Sequence, residues 1–464
     1  MHNQHRNGTN HQEHHFHRVD LSPGQLTRFV LLELLSGGST YRKAVTLFGI
    51  LFLAGIVGFI MRVAQNGFSS WPAWGYPAAI VAYILCTMQA APIVAFALRA
   101  AKGHWRRPVS RIAELFTIVG VVNLIFLLPI LFVLPPITGG RLTFWFEMNW
   151  LLPFSPPGFF VFFAMLSLVI CGLGLLYLVS LPDLAAARDM KGGVYRSLAR
   201  GWVGTPRQWK MLKSGANILG AFYLMTFVFV STLFAMDLSE TLVPGWKDAI
   251  YPAFHSITGI QGAIATTLVA MAIMRSFGGL REYLHMEQFW ALSKPLLATS
   301  LLWFYMWWST FLTYWYGRTP AEQQVLQLLM FGPYFVPFVL AFTFKFLIPL
   351  VFLIWNRVRM SIMGPTLIAC SILIGDLFEF IRLYVGPFTV TQYGHILEEV
   401  PQAHAPDIAD ILIMVGAISG AILTYLITAK IIPVLSLWDT KEGLLLTRVQ
   451  PYHKTEVLVI GKPE

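Results

Sequence analysis

The chain has 464 residues, of which 56% are hydrophobic and only 12% charged, with a formal net charge of +10. So few charges cannot clothe a soluble protein of this length, and long apolar runs recur throughout, so the composition points to a polytopic membrane protein. Three cysteines, Cys86, Cys171 and Cys370, stand singly in apolar segments, which excludes a disulfide framework and a cysteine-held zinc or iron–sulfur site.

The first residues, "MHNQHRNGTNHQEHHFH", are rich in histidine but irregularly spaced and poor in apolar side chains. They read as a disordered tail rather than a metal site, and they lack the layout of a cleaved signal peptide. "LTRFVLLELL" follows and is amphipathic, which predicts a short helix lying on the membrane surface. Residues 1–40 thus form a tail and surface helix, 41–439 the transmembrane domain, and 440–464 a C-terminal tail.

Hydropathy predicts an all-α transmembrane domain of about ten spans of about 20 residues or more. They lie near 44–62, 76–99, 112–134, 159–182, 214–236, 250–274, 291–315, 332–354, 362–385 and 408–433. Basic residues gather in alternate loops. Arg99, Lys102, Arg106, Arg107 and Arg111 lie between spans two and three, and Arg188, Lys191, Arg196, Arg200, Arg207, Lys210 and Lys213 between spans four and five. The intervening loops add little beyond Arg141, Lys247 and Arg318, an asymmetry that predicts basic loops and both termini in the cytoplasm. "YPAAIVAYILC" in span two and "YPAFHSITGIQ" in span six open alike. The echo suggests two related four-helix bundles, about 76–236 and 250–385, with the first and last spans outside them.

"ILIGDLFEFIRLYVG" in span nine carries Asp376, Glu379 and Arg382 at helical spacing, so the three share a face. A charge in hydrocarbon costs at least ~3 kcal/mol, so such groups are kept when something uses or neutralises them. Arg382 can neutralise one acid; the other must find a partner or bind a proton. His255, with Thr258 and Gln261 continuing its polar stripe, falls at a comparable depth in span six. The set can pass protons or bond a quinone head group. The plainer alternative is an ion pair that only fixes helix packing. Toward the cytoplasm lie Glu114, Asn217, Lys294, Lys345 and Lys430, with Gln89 and Asn123 at mid-span. Lys294 and Lys430 can snorkel, whereas Lys345 is too deep for that. Glu114, Asn123, Lys345 and Gln261 are the candidates for a proton path. Only His255 lies well inside a span, which excludes a paired-histidine haem, and no phosphate-binding glycine loop marks a primary pump.

Several stretches together resemble a known family. "LPDLAAARD" and "GWVGTPRQW" follow span four, "AMDLSETLVPGWKDAIYPAF" follows span five, and "REYLHMEQFWALSKPLLATSLLWFYMWW" leads into span seven. With "HWRRPVSRIAELFTI" and "KIIPVLSLWD", they resemble the NrfD/polysulfide-reductase membrane subunits, above all the ActC-like subunit of alternative complex III. The resemblance implies a bacterial cytoplasmic membrane, no prosthetic group in the subunit, and assembly with extracytoplasmic iron–sulfur and molybdopterin-type subunits that hold the redox centres. It also implies a menaquinol site near the outer face of the first bundle and a proton path through the bundles. Gln89 stands where the resemblance implies a histidine, and "SPPGFFVFFAML" lacks the acid implied near the start of span four. Glutamine can hydrogen-bond a quinone but cannot take its proton.

Three functions follow as alternatives. The first is a quinone-reactive subunit coupling menaquinol electron transfer to proton transfer, with His255, Asp376, Glu379, Arg382 and Gln89 as site residues. The second is a quinone-independent anchor that conducts protons, as in organohalide respiratory complexes. The third is a secondary transporter with a midplane site near Gly375.

Overall fold

The computed structural model describes residues 23–135, 141, 143, 145, 156–392, 394–453 and 455–460. The histidine-rich run lies outside them. Eight helices are each long and apolar enough to cross a membrane: Ser39–Asn66 (α1), Trp71–Ala100 (α2), His104–Val133 (α3), Gly158–Lys191 (α4), Pro206–Leu242 (α5), Tyr251–Phe277 (α6), Phe335–Leu353 (α8) and Ile408–Thr428 (α10). Two further helices, Met286–Gly317 (α7) and Met363–Phe380 (α9), lie between them in chain order. The protein is a multi-pass, predominantly helical membrane protein.

Local chemistry sets the helix starts. Thr205 Oγ1 accepts from the Gln208 N–H at 3.3 Å at the head of α5, and Asp407 Oδ1 accepts from the Asp410 N–H at 2.8 Å at the head of α10. Such caps satisfy amides that a first turn leaves free. Pro72, Pro206 and Pro252 sit in first turns, where a missing N–H costs nothing.

Helices α2 and α6 are the most enclosed and touch each other at the centre. Around them α2 meets α3 and the end of α9, while α6 meets α5, α7 and α9; α4 packs on α3 and α5, and α8 on α7 and α9. The loops rich in Lys and Arg all fall at one end, called here the basic face; the loops at 67–70, 243–250 and 386–407 mark the far face. Side chains such as Leu47, Ile50, Leu53 and Ile60 of α1 point outward, as lipid contact requires.

Helix α1 lies against α10 through glycines. A Cβ at Gly416 would sit 2.3 Å from the Gly55 Cα, and one at Gly58 would sit 2.6 Å from the Leu412 Cβ. Small residues let helix backbones meet this closely without a hydrophobic driving force. At the far-face end the buried Arg62 guanidinium pairs with Asp410 at 2.5 Å and Asp407 at 2.8 Å. Gly416→Val is expected to force the backbones apart and cost about 1–3 kcal/mol. A thermal unfolding midpoint in detergent equal to that of the wild type would contradict it.

The sequence-based surface helix is placed differently. Residues Pro23–Leu34 are helical, but Leu26, Val30 and Leu31 are buried against protein and Phe29 stacks on Tyr283 at 5.9 Å. Lys430 does not snorkel free: its Nζ donates to Leu34 O at 2.6 Å and Ser36 O at 3.1 Å, tying this segment to the end of α10. The C-terminal stretch is also folded, as helix Leu437–Leu446 (α11) and an antiparallel hairpin of Thr447–Tyr452 (β1) and Thr455–Ile460 (β2).

Candidate functional site

Three of the residues marked by sequence sit in wide helical turns. A helix that accommodates one extra residue opens a π turn, whose carbonyls then need donors from elsewhere. Such turns occur at Leu85–Gln89 in α2, Thr343–Leu347 in α8 and Ile381–Val385 after α9, and they carry Gln89, Lys345 and Arg382. Neighbouring helices supply the donors. Tyr223 O–H donates to Gln89 O at 2.5 Å, the Gln261 amide to Lys345 O at 3.0 Å, and Ser239 Oγ to Leu383 O at 2.5 Å. Ser371 Oγ reaches Phe344 O at 2.9 Å. These side chains hold the irregular backbone open where charge is presented.

The central pair is Lys345 with Asp376. Their Nζ and Oδ1 atoms are 2.7 Å apart, and both side chains are 0% exposed. Lys345 Nζ also lies 3.4 Å from Thr258 Oγ1 and 5.0 Å from the Trp303 ring centre. Two glycines make the room. A Cβ at Gly375 would come within 2.6 Å of Lys345 Cγ, and one at Gly262 would meet Cys86 O at 2.3 Å and Asp376 Oδ2 at 3.0 Å. Asp376 Oδ2 has no hydrogen-bond partner among the described residues. Gln261 belongs to the same shell, donating to Ser300 Oγ at 2.8 Å.

One helical turn nearer the far face, Arg382 grips Glu379 with Nε at 3.0 Å and Nη2 at 2.8 Å. The face-sharing trio is therefore divided: Arg382 neutralises Glu379, and the partner required by Asp376 is Lys345. Lys345 and Gln261, two of the proton-path candidates, thus lie at the Asp376 site. A cavity of about 30 Å³ lies beyond Arg382, lined in part by Asp248, Tyr251, Thr310 and Tyr314.

His255 is fully buried beside this site rather than in it. Its Nε2 is 2.8 Å from Tyr384 Oη and its Nδ1 3.6 Å from Cys86 Sγ. Phe380 and Tyr251 close around the ring, and among the described residues it bonds neither acid. Both ring nitrogens thus have partners at the α2–α6–α9 junction.

Gln89 and Asn123 form a buried amide pair in the α2–α5 half: Asn123 Nδ2 donates to Gln89 Oε1 at 2.9 Å and to Val81 O at 3.2 Å, while Asn123 Oδ1 has no hydrogen-bond partner among the described residues. Gln89 Nε2 faces Met165 Sδ at 3.6 Å, and a Cβ at Gly120 would lie 2.9 Å from that nitrogen, so the amide has no open side. Glu114 sits nearer the basic face in a larger network. It pairs with Arg99 and, at 3.3 Å, with Arg111 Nε. Arg111 in turn holds Asp183 at 2.9 Å, Ser180 Oγ at 2.8 Å and Val179 O at 2.8 Å. Asp183 Oδ1 accepts the Leu437 N–H at 3.0 Å, so α11 closes over this network. Asn217 and Lys294 are exposed and take no part in it.

Sequence reasoning missed Tyr384, Ser300, Asp248, the Arg111–Asp183 pair and the Arg62–Asp410 pair. Asp183 had a visible signal, an acid within the "LPDLAAARD" block, and Arg62 another, a lone cation in the last turns of an apolar helix. No protein-family model matches this sequence, and no curated protein matches it.

Proposed function

We propose that the chain is the integral membrane subunit of a respiratory redox complex of the NrfD/polysulfide-reductase type, and that its task in the membrane is proton transfer through α6, α8 and α9. The basic face and both termini lie in the cytoplasm, following the loop charges. The neighbour relations around α2 and α6 support two four-helix units, α2–α5 and α6–α9, with α1 and α10 outside them. Iron–sulfur and molybdopterin-type partners would dock at the far face and hold the redox centres.

The observation that carries this reading is the fully enclosed Lys345–Asp376 pair with one carboxylate oxygen unsatisfied. Packing alone gains little from such a pair, because desolvation offsets the attraction. A carboxylate with a free lone pair beside a lysine suits a group that takes up and passes a proton. Glu379–Arg382 and the small cavity continue the polar line toward the far face. Gln89, fully buried and packed against Met165 and Gly120, leaves no space for a head group there, which favours the quinone-independent anchor over a menaquinol site in the first bundle.

The test uses the purified chain in vesicles under a potassium diffusion potential, with an internal pH dye. Proton flux is expected for the wild type, and Asp376→Asn should fall to the level of empty vesicles. Equal flux in both proteins would overturn the reading. Stoichiometric menaquinone in the purified complex, displaced by a head-group analogue, would restore the quinone alternative.

A further inference from the structure

The cavity at the far-face end of α6, α7 and α9 has a function of its own. It holds about 30 Å³, room for about two water molecules. Arg382, 2% exposed, lines it. Its Nε and Nη2 are committed to Glu379. Asp248 from the α5–α6 loop, Tyr251 from α6, and Thr310 and Tyr314 from α7 line it as well. Much of the lining is apolar, Trp246, Phe254 and Trp307 included, but Arg382, Asp248 and Thr310 give a bound water more than one polar partner.

The Asp248 carboxyl is well fixed. Asp248 Oδ1 accepts the Ile250 N–H at 2.9 Å, and the Asp248 N–H donates to Glu240 Oε1 at 2.7 Å. Thr310 bonds the same carboxyl from the α7 side. Glu240 Oε2 has no partner among the described residues, so two carboxyls stand together at the end of the polar line. Burial pushes the Asp248 carboxyl above its usual range. Tyr251, Tyr314, Glu240 and Arg382 are the titratable or charged groups that face it, with the Lys247 backbone carbonyl held by Tyr314 at 3.2 Å.

We infer that this cavity is the water-filled release port of the proton path, with Asp248 as its terminal acceptor. This rests on the proton-transfer reading and names its exit. A proton delivered from the Asp376 side protonates the Glu379 carboxylate for the transfer; that O–H bond then breaks as one forms to water beside Arg382, and Glu379 is again the carboxylate that Arg382 holds. The water passes a different proton to the Asp248 carboxylate, and Asp248 releases it to solution, so Glu379, the water and Asp248 all end in the state in which they began. Arg382 orients the water by donating to its oxygen.

The purified full chain is tested in phosphatidylcholine vesicles under a potassium diffusion potential, with Asp248→Asn, Asp248→Glu and Asp376→Asn compared at matched incorporation. Flux is expected to fall about tenfold or more in Asp248→Asn, as for loss of a positioned acid–base group. Asp248→Glu should retain at least about half of the flux, which separates proton handling from misfolding. Wild-type flux in Asp248→Asn with none in Asp376→Asn would overturn the port while leaving the path intact. Equal loss in Asp248→Asn and Asp248→Glu would assign Asp248 a structural role and also overturn it. Unchanged flux in all three variants would overturn both the port and the path.

Discussion

Lys345→Met is expected to destabilise the protein by about 3–5 kcal/mol, because it leaves Asp376 buried without its countercharge. Neither group has water to turn to, since both are 0% exposed. The double variant Lys345→Met, Asp376→Leu removes both charges and replaces them with apolar volume. It should recover most of the lost stability, as buried pairs exchanged for hydrophobic groups commonly do. Proton flux, by contrast, should be absent in the single and the double variant alike. Thermal unfolding in detergent reads the first quantity and vesicle flux the second. A double variant that recovers both would reduce the pair to packing.

Arg111→Met should cost at least as much, about 3–5 kcal/mol, since one guanidinium serves two buried acids. Asp183 and Glu114 would both lose it, and Ser180 Oγ and Val179 O would lose their donor. Arg111→Lys should recover only part of the loss: a single ammonium cannot span the same fork of partners. Because Asp183 also accepts the Leu437 N–H, the loss should loosen α11. Faster proteolysis after residue 436 in Arg111→Met than in the wild type would report it, and identical cleavage rates would count against the coupling.

Much of the helix series was legible because a long apolar run leaves few alternatives in a bilayer. Facing was not. Hydropathy says that a residue lies in a span but not which neighbour it meets, so Lys345 and Asp376 were both noticed and yet assigned to different paths. The π turn at Thr343–Leu347 adds to this, since it shifts the face that regular spacing would assign to Lys345. Arg111 was read as a loop cation because it stands among four others; the structure buries it at the start of α3. The amphipathic helix shows the same limit. An amphipathic stripe records that one side is covered, and it looks the same whether lipid or Tyr283 does the covering.

The π turns also bear on how such a protein can change over generations. Each contains one residue more than a regular helix of the same rise, which offsets everything beyond it by about 100°. Single-codon deletion within Thr343–Leu347 would let that helix close into regular form and rotate its remaining length, carrying the lysine's surroundings out of register in one step. Point substitutions cannot imitate this. Among sequences with the same spans, gain or loss of single residues inside these segments should therefore mark the divide between lineages that keep the buried pair and those that do not.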